Sequence, residues 1–198
     1  MALGRLGLLP VDNRVMAESS PPPLPDGAYD HLLGATVPRL ELPSTIGREL
    51  DVCDAGASFT VLFLYPMTGT PGRPLPEGWM EIPGAFGCTA QSCAYRDSLS
   101  EFEELDASVR GISTQSPEEQ MEFSTRERIP YPLLSDADLR LRQAMRLPTF
   151  DAGGKARFKR ASLIVHRREI ARILYPITDP AANAGETLAV VRQLARAP

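Results

Sequence analysis

Two cysteines five positions apart, Cys88 and Cys93 in the stretch GCTAQSCAYRD, are the residues of this sequence best suited to chemistry. The thiolate is the nucleophilic form of cysteine, and it is favoured where positive potential is close. A loop rich in Gly and Pro ends at Gly87, and from Cys88 onward the apolar residues follow helical spacing. That places Cys88 at a helix N-terminus, where free amide N–H groups and the helix dipole stabilise an anion. Cys93 falls about a turn and a half further along the same helix. With about 1.5 Å of rise per residue, Cα atoms at i and i+5 lie roughly 8–9 Å apart. A disulfide tolerates only about 4.4–6.8 Å, so the two sulfurs can bond only if the first turn unwinds. Spacing alone leaves two readings open: a redox pair, or two small buried hydrophobes. C-x4-C is a weaker signal than C-x-x-C.

The remaining composition narrows the classes. Cys53 brings the cysteine count to three, which argues against a secreted disulfide framework and for a reducing, cytoplasmic setting. Only two histidines occur, His31 and His166, far from the cysteine pair and from each other. No metal-ligand spacing results, so neither a metal nor a cofactor is expected. A net charge of −4 offers no basic surface for nucleic acid or an acidic membrane. No apolar run reaches the roughly 18 residues of a transmembrane helix. The N-terminal MALGRLGLLPVDNR lacks a convincing cleavage site, so no signal peptide is expected, and Met1 and Met16 are both candidate starts.

The elements that must position the cysteines follow from periodicity. Residues 1–34 contain SSPPPLPDG and are expected to form an extended arm, with a folded domain over 35–198. ATVPRLELPSTIGRELDV alternates apolar and polar residues about a turn at Ser44–Gly47, a hairpin pattern. SFTVLFLYP (58–66) is apolar throughout, as a central strand buried on both faces would be. One helix is expected over CTAQSCAYRDSLSEFEELDA, where Tyr95, Leu99, Phe102 and Asp106 follow a spacing of three and four with Leu105 beside them. VRGISTQ reads as a strand. Ser116, Pro117 and the acids after them open the next helix. PYPLLSD is a short strand, followed by a helix over 137–146. RFKRASLIVHRREIARILYPI reads as two strands meeting at Arg167–Arg168, and 180–196 as a closing helix. The order implies an α/β fold with a mostly parallel sheet flanked by helices.

The stretch FLYP…GCTAQSCAYRD…VRGISTQSPEEQMEF…IPYPLLSDADLRL…KRASLIV resembles the peroxiredoxin family, and within it the bacterioferritin comigratory protein (peroxiredoxin Q) subgroup. Four motifs occur in the family's order across roughly residues 35–195. The resemblance implies a thioredoxin-like fold, with a central mixed sheet flanked by helices and an N-terminal β-hairpin extension. It implies reduction of hydrogen peroxide and organic hydroperoxides by Cys88 through a sulfenic acid, with Cys93 resolving it as an intramolecular disulfide. Arg160 matches the arginine that steadies the thiolate and the peroxide. A thioredoxin- or glutaredoxin-like reductant and a monomer or homodimer are expected. The runner-up is a redox-sensing binding protein that uses the same disulfide switch with little turnover. A thiol–disulfide oxidoreductase ranks last, since C-x-x-C is missing.

One departure stands out. The family places Pro seven and Thr three residues before its reactive cysteine, where this chain has Glu81 and Ala85. Tyr65–Pro66 is present, but Cys88 follows Pro66 by 22 residues, an excess of 15. An insertion near RPLPEGWMEIPGAFG accounts for this. Pro66 and Gly87 are then expected to shield the pocket, and Thr68 or Thr70 to supply the missing hydroxyl. Alternatively, no threonine contributes. Trp79, the only tryptophan, either anchors the inserted loop at the surface or walls the pocket beside Cys88. Cys53 is expected to be a bystander, His31 and His166 ordinary surface or strand-end residues, and Arg96 and Asp97 part of a solvated helix face.

Overall fold

In the computed structural model, which describes residues 23 and 25–196, the apolar run near residue 60 is the middle strand of the main sheet. A hairpin of β1 (Glu41–Pro43) and β2 (Glu49–Asp51) comes first, with Glu41 opposite Asp51. β3 (Phe59–Leu64) follows, with all six residues buried. Helices α1 (Cys88–Asp97) and α2 (Leu99–Glu103) lead to β4 (Ala107–Ser113). Next come α3 (Pro117–Glu127), β5 (Leu133–Ser135) and α4 (Arg140–Met145). The hairpin β6 (Thr149–Ala152) and β7 (Lys155–Phe158) precedes β8 (Ala161–His166), β9 (Glu169–Leu174) and α5 (Asn183–Ala195).

The five-stranded sheet runs β5-β4-β3-β8-β9. β3 is parallel to β4, and β4 to β5, whereas β8 is antiparallel to both β3 and β9. The sheet is therefore mixed, and the mostly parallel arrangement read from element order is corrected. β9 turns back from β8 through a hairpin at Arg167 and Arg168 with φ of 47° and 70°, the positive values a tight two-residue turn requires.

Strand alternation divides the core in two. Phe59, Val61, Phe63 and Tyr65 point to one layer with Tyr95, Phe102, Phe123, Leu188 and Val191 from the helices. Leu62 and Leu64 point to the other, with Val37, Leu42, Leu141 and Phe158. Burying each such side chain contributes about 1.5–3 kcal/mol, so β3 serves both layers and anchors everything attached to its ends.

Several local expectations hold. The β1–β2 hairpin forms, and Ser116 caps α3 in a reciprocal capping box with Glu119, behind Pro117 at the first helical position. Others are corrected. The helix beginning at Cys88 is two helices, broken at Ser98 (φ −105°); serine is a weak helix former because its hydroxyl competes for backbone groups. In the segment read as an extended arm, residues 30–32 form a 3-10 turn, and Tyr29 and Leu32 are buried in the core. The Tyr29 hydroxyl donates to the Lys159 carbonyl at 2.7 Å. Residues 1–22 and residue 24 of that arm, Met16 among them, lie outside the described residues. The β6–β7 hairpin was not expected at all. Among the described residues, no helix is long and apolar enough to cross a membrane.

Candidate active site

Cys88 is the first residue of α1 and is 3% exposed. Gly87 caps the helix with φ 103°, and a Cβ there would come within 2.6 Å of Pro180. Only glycine fits this turn, both for conformation and for space. The turn delivers the Cys88 sulfur to the N-terminal end of the helix, where α1 has no side-chain cap of its own.

Arg160 reaches the same point from the residue before β8. Its Nη2 lies 3.2 Å from Cys88 Sγ and also donates to the carbonyls of Phe86 (2.9 Å) and Ala85 (3.3 Å). Nε donates to the Gly84 carbonyl at 3.3 Å, and Nη1 to Gln91 Oε1. Every oxygen on this guanidinium is neutral. Its positive charge, buried at 3% exposure, is therefore directed at the sulfur without a carboxylate to offset it. The Cys88 thiol itself points to the Ala85 carbonyl at 3.7 Å.

A buried polar network holds this arrangement from behind. Gln91 Nε2 donates to Asn183 Oδ1 at 2.9 Å, and the Tyr95 hydroxyl (3.0 Å) and Ser162 hydroxyl (2.8 Å) donate to the same oxygen. Tyr95 also meets Thr187 at 2.8 Å. The network ties α1 to α5 and β8, and burial holds the Tyr95 hydroxyl well above its ordinary pKa.

Cys93 is half-buried on α1, with Sγ 3.9 Å from Glu127 Oε2. Burial raises its pKa; Arg96 works against that rise, and the Glu127 carboxylate adds to it. Arg96 is not wholly a solvated residue: its Nη1 donates to the Glu127 carbonyl at 2.7 Å, while its Nε pairs with Asp97. All three cysteines are free thiols. Cys53 is buried just after β2, and desolvation pushes its pKa to about 11.

The inserted loop folds on itself. Trp79 is buried with Ala85 and Ala152, packed against Met67, Leu75, Ile82 and Phe150; its ring lies 6.2 Å from that of Phe150. It anchors the loop to the β6–β7 hairpin as a buried residue, which corrects the surface placement. Thr68 is buried, but its hydroxyl donates to Gln115 Oε1 at 3.0 Å, and Gln115 Nε2 returns a bond to the Thr68 carbonyl. Thr70 is half-buried in a separate cleft with Arg73, Ser116 and Glu118. Among the described residues, neither hydroxyl is hydrogen-bonded to Cys88. Pro66 is buried at the end of β3, where its carbonyl accepts from Ser113.

Arg160 also borders a cavity of about 390 Å³ lined by Ile82, Pro83, Gly84, Phe150 and Tyr175, with Lys159 and Asp26 paired beside it. Sequence reasoning missed Gln91, Gln115 and Asn183. Polar side chains among apolar ones signal burial with partners, but no spacing rule identifies partners 92 residues apart, as Gln91 and Asn183 are.

Comparison with known proteins fits this geometry. The AhpC/TSA family model matches residues 81–172. Chloroplastic peroxiredoxin Q of Oryza sativa subsp. japonica is 29% identical over 179 residues, covering 85% of this chain and 82% of the relative. Peroxiredoxin Bcp of Bacillus subtilis is 32% identical over 112 residues, 57% of this chain and 62% of its own. The crystal structure of peroxidoxin BcpB from Mycobacterium tuberculosis superposes with a TM-score of 0.67 at 30% identity, over 82% of this chain and 97% of that one. A thioredoxin-like sheet with this order, a cysteine at the α1 N-terminus and relatives of this similarity lead to one conclusion: the chain belongs to the peroxiredoxin family, and with it to the thiol peroxidases.

Proposed function

We propose that this chain reduces hydrogen peroxide and organic hydroperoxides with Cys88 as the attacking thiolate and Cys93 as the resolving thiol. The sulfur attacks the distal oxygen of ROOH, the O–O bond breaks, and the departing oxygen takes a proton to leave as ROH, with Cys88 left as a sulfenic acid. The Cys93 thiol then displaces water from that sulfenic acid and closes a disulfide. An external dithiol of thioredoxin or glutaredoxin type returns two electrons. The single observation carrying this reading is the 3.2 Å contact of Arg160 with Cys88 Sγ, made by a guanidinium whose other acceptors are all neutral. Charge grows on both oxygens during the displacement, and such a donor stabilises it.

Both cysteines lie on one continuous helix, so disulfide closure requires the first turns of α1 to unwind. The apolar cavity beside Arg160 supports acceptance of organic peroxides as well as hydrogen peroxide. A compartment that keeps thiols reduced, such as the cytoplasm, suits this cycle. One observation favours the alternative of a redox-sensing protein with little turnover: Ala85, fully buried, stands where the family has its threonine hydroxyl.

The experiment is intact mass after one equivalent of hydrogen peroxide, for the reduced protein and for Cys93→Ser. Loss of two hydrogens in the first, and a trappable sulfenic acid on Cys88 in the second, are the expected results. A Cys88 that stays a thiol while peroxide persists ends the peroxidase reading. Disulfide formation in one turnover without steady cycling by a thioredoxin system selects the sensor.

A further inference from the structure

Arg157, on β7, is buried at 4% exposure, yet its charge is almost unpartnered. Its Nε has no hydrogen-bond partner, and Nη1 reaches Thr114 Oγ1 only at 3.5 Å, too long to count for much. Among the described residues, no carboxylate forms an ion pair with it. The Glu119 carboxylate acts on it, but that group is half-exposed and accepts from the Ser116 amide in the capping box. A buried cation without a partner costs several kcal/mol and is retained in few places without a use.

Its surroundings suggest the use. Arg157 pairs across the hairpin with Phe150, and cross-strand partners share a face. Phe150 belongs to the cluster that Trp79, Ile82 and Phe86 of the inserted loop build, so that loop keeps water from this face. The same cluster holds Ala85 and packs against Phe86. The carbonyls of both accept from Arg160, and the Ala85 carbonyl also lies 3.7 Å from Cys88 Sγ. The charges of Glu119 and Cys88 both oppose the effect of burial on Arg157. Nearby, Thr68 and Gln115 satisfy one another, and Ala85 contributes no hydroxyl.

We propose that Arg157 is a second cation of the Cys88 site, left without a counterion so that its field favours negative charge on the reacting sulfur and on the oxygen released from the peroxide. The proposal rests on the peroxidase reading given above. Arg160 acts by contact, and Arg157 acts through a dry interior where charges are weakly screened. The inserted loop and the β6–β7 hairpin then have a shared role, which is to bury this charge beside the site.

The test uses the full chain, wild type against Arg157→Met and Arg157→Lys, at pH 7. Three quantities are measured: the rate of Cys88 with hydrogen peroxide, its rate of alkylation by iodoacetamide, and the thermal midpoint. Arg157→Met is expected to slow both reactions about tenfold, with Arg157→Lys recovering to within about threefold of wild type. The midpoint of Arg157→Met should equal or exceed wild type, because an apolar side chain replaces an unpaired buried charge. Rates within about twofold of wild type in Arg157→Met overturn the proposal. So does slowing that is equal in both variants and tracks a fall in midpoint. If wild type alkylates but ignores peroxide, the peroxidase reading fails; slower alkylation in Arg157→Met then still supports the role of Arg157, and unchanged alkylation overturns it.

Discussion

Two cysteines in this molecule are buried next to arginines, and only one of them faces a cation that has no carboxylate partner. Cys53 lies close to Arg168 and Arg110, but both cations have carboxylates of their own. Arg168 grips Asp51 with two bonds of 3.0 Å, and Arg110 meets Asp54 at 3.3 Å. Burial then dominates, and the thiol is pushed to about 11. Cys88 lies against Arg160, whose partners are three carbonyls and an amide oxygen, and it starts a ten-residue helix. A cation activates a thiol only while its charge has not been neutralised by another group. Proximity alone is a poor guide to reactivity.

The sharpest way to break this contrast is to remove the free cation. Arg160→Met should lower the second-order rate with hydrogen peroxide by about 10²–10³, as loss of one transition-state donor does elsewhere. Arg160→Lys should recover little, because a single ammonium cannot reproduce the fork that holds Gly84, Phe86 and Gln91 together. Stopped-flow peroxide kinetics decide it; a rate near wild type in either variant would remove Arg160 from the mechanism.

A smaller effect tests the inert side. Cys53 keeps its proton in the folded chain to about pH 11, whereas an unfolded thiol releases it near its ordinary pKa. Between those values the native state holds more protons, so its contribution to stability is full below the unfolded pKa and declines as pH rises toward 11. The decline should be about 2 kcal/mol, and urea titrations from pH 8.5 to 11 should show it in wild type and not in Cys53→Ala. Parallel curves for the two proteins would contradict the burial account.

The smallest effect sharpens the comparison. Asp51→Asn leaves Arg168 without its carboxylate and removes a negative charge beside Cys53. In a Cys88→Ser, Cys93→Ser background, the thiolate absorbance of Cys53 should then appear at lower pH, by roughly half to one unit. No movement would mean that desolvation alone keeps Cys53 protonated and that the state of its arginines is irrelevant.

Legibility from sequence followed the length scale of each interaction. β3 was plain, because an unbroken apolar run has few other uses, and so was α3, because Ser116, Pro117 and Glu119 sit within four residues of each other. Cys88 was legible through its glycine and the helical stripe after it. Arg160, 72 residues away, was reachable only through resemblance, since nothing local separates it from the other bases in KARFKR. The β6–β7 hairpin carried a signal that went unused: Gly153 and Gly154, with φ of 62° and 70°, form the turn that a Gly-Gly pair favours. Its four-residue strands were too short for alternation to stand out. Missing that hairpin also hid Arg157 and the partner of Trp79. The partner of the Thr68 hydroxyl, Gln115, lies 47 residues away, beyond any local pattern.

In the proposed cycle, the Gln91 side chain has a consequence for the lifetime of the oxidised cysteine. It is held at one end by Arg160 and at the other by Asn183, and Asn183 is held in turn by Tyr95 and Ser162. Unwinding the first turns of α1 means releasing this clasp before Cys93 can arrive. The tighter the clasp, the longer a sulfenic acid waits at Cys88, and the more chance a second peroxide has to carry it on to sulfinic acid. In that cycle Gln91 would act as a timer for the site, and loosening it should be visible as resistance to inactivation at high peroxide.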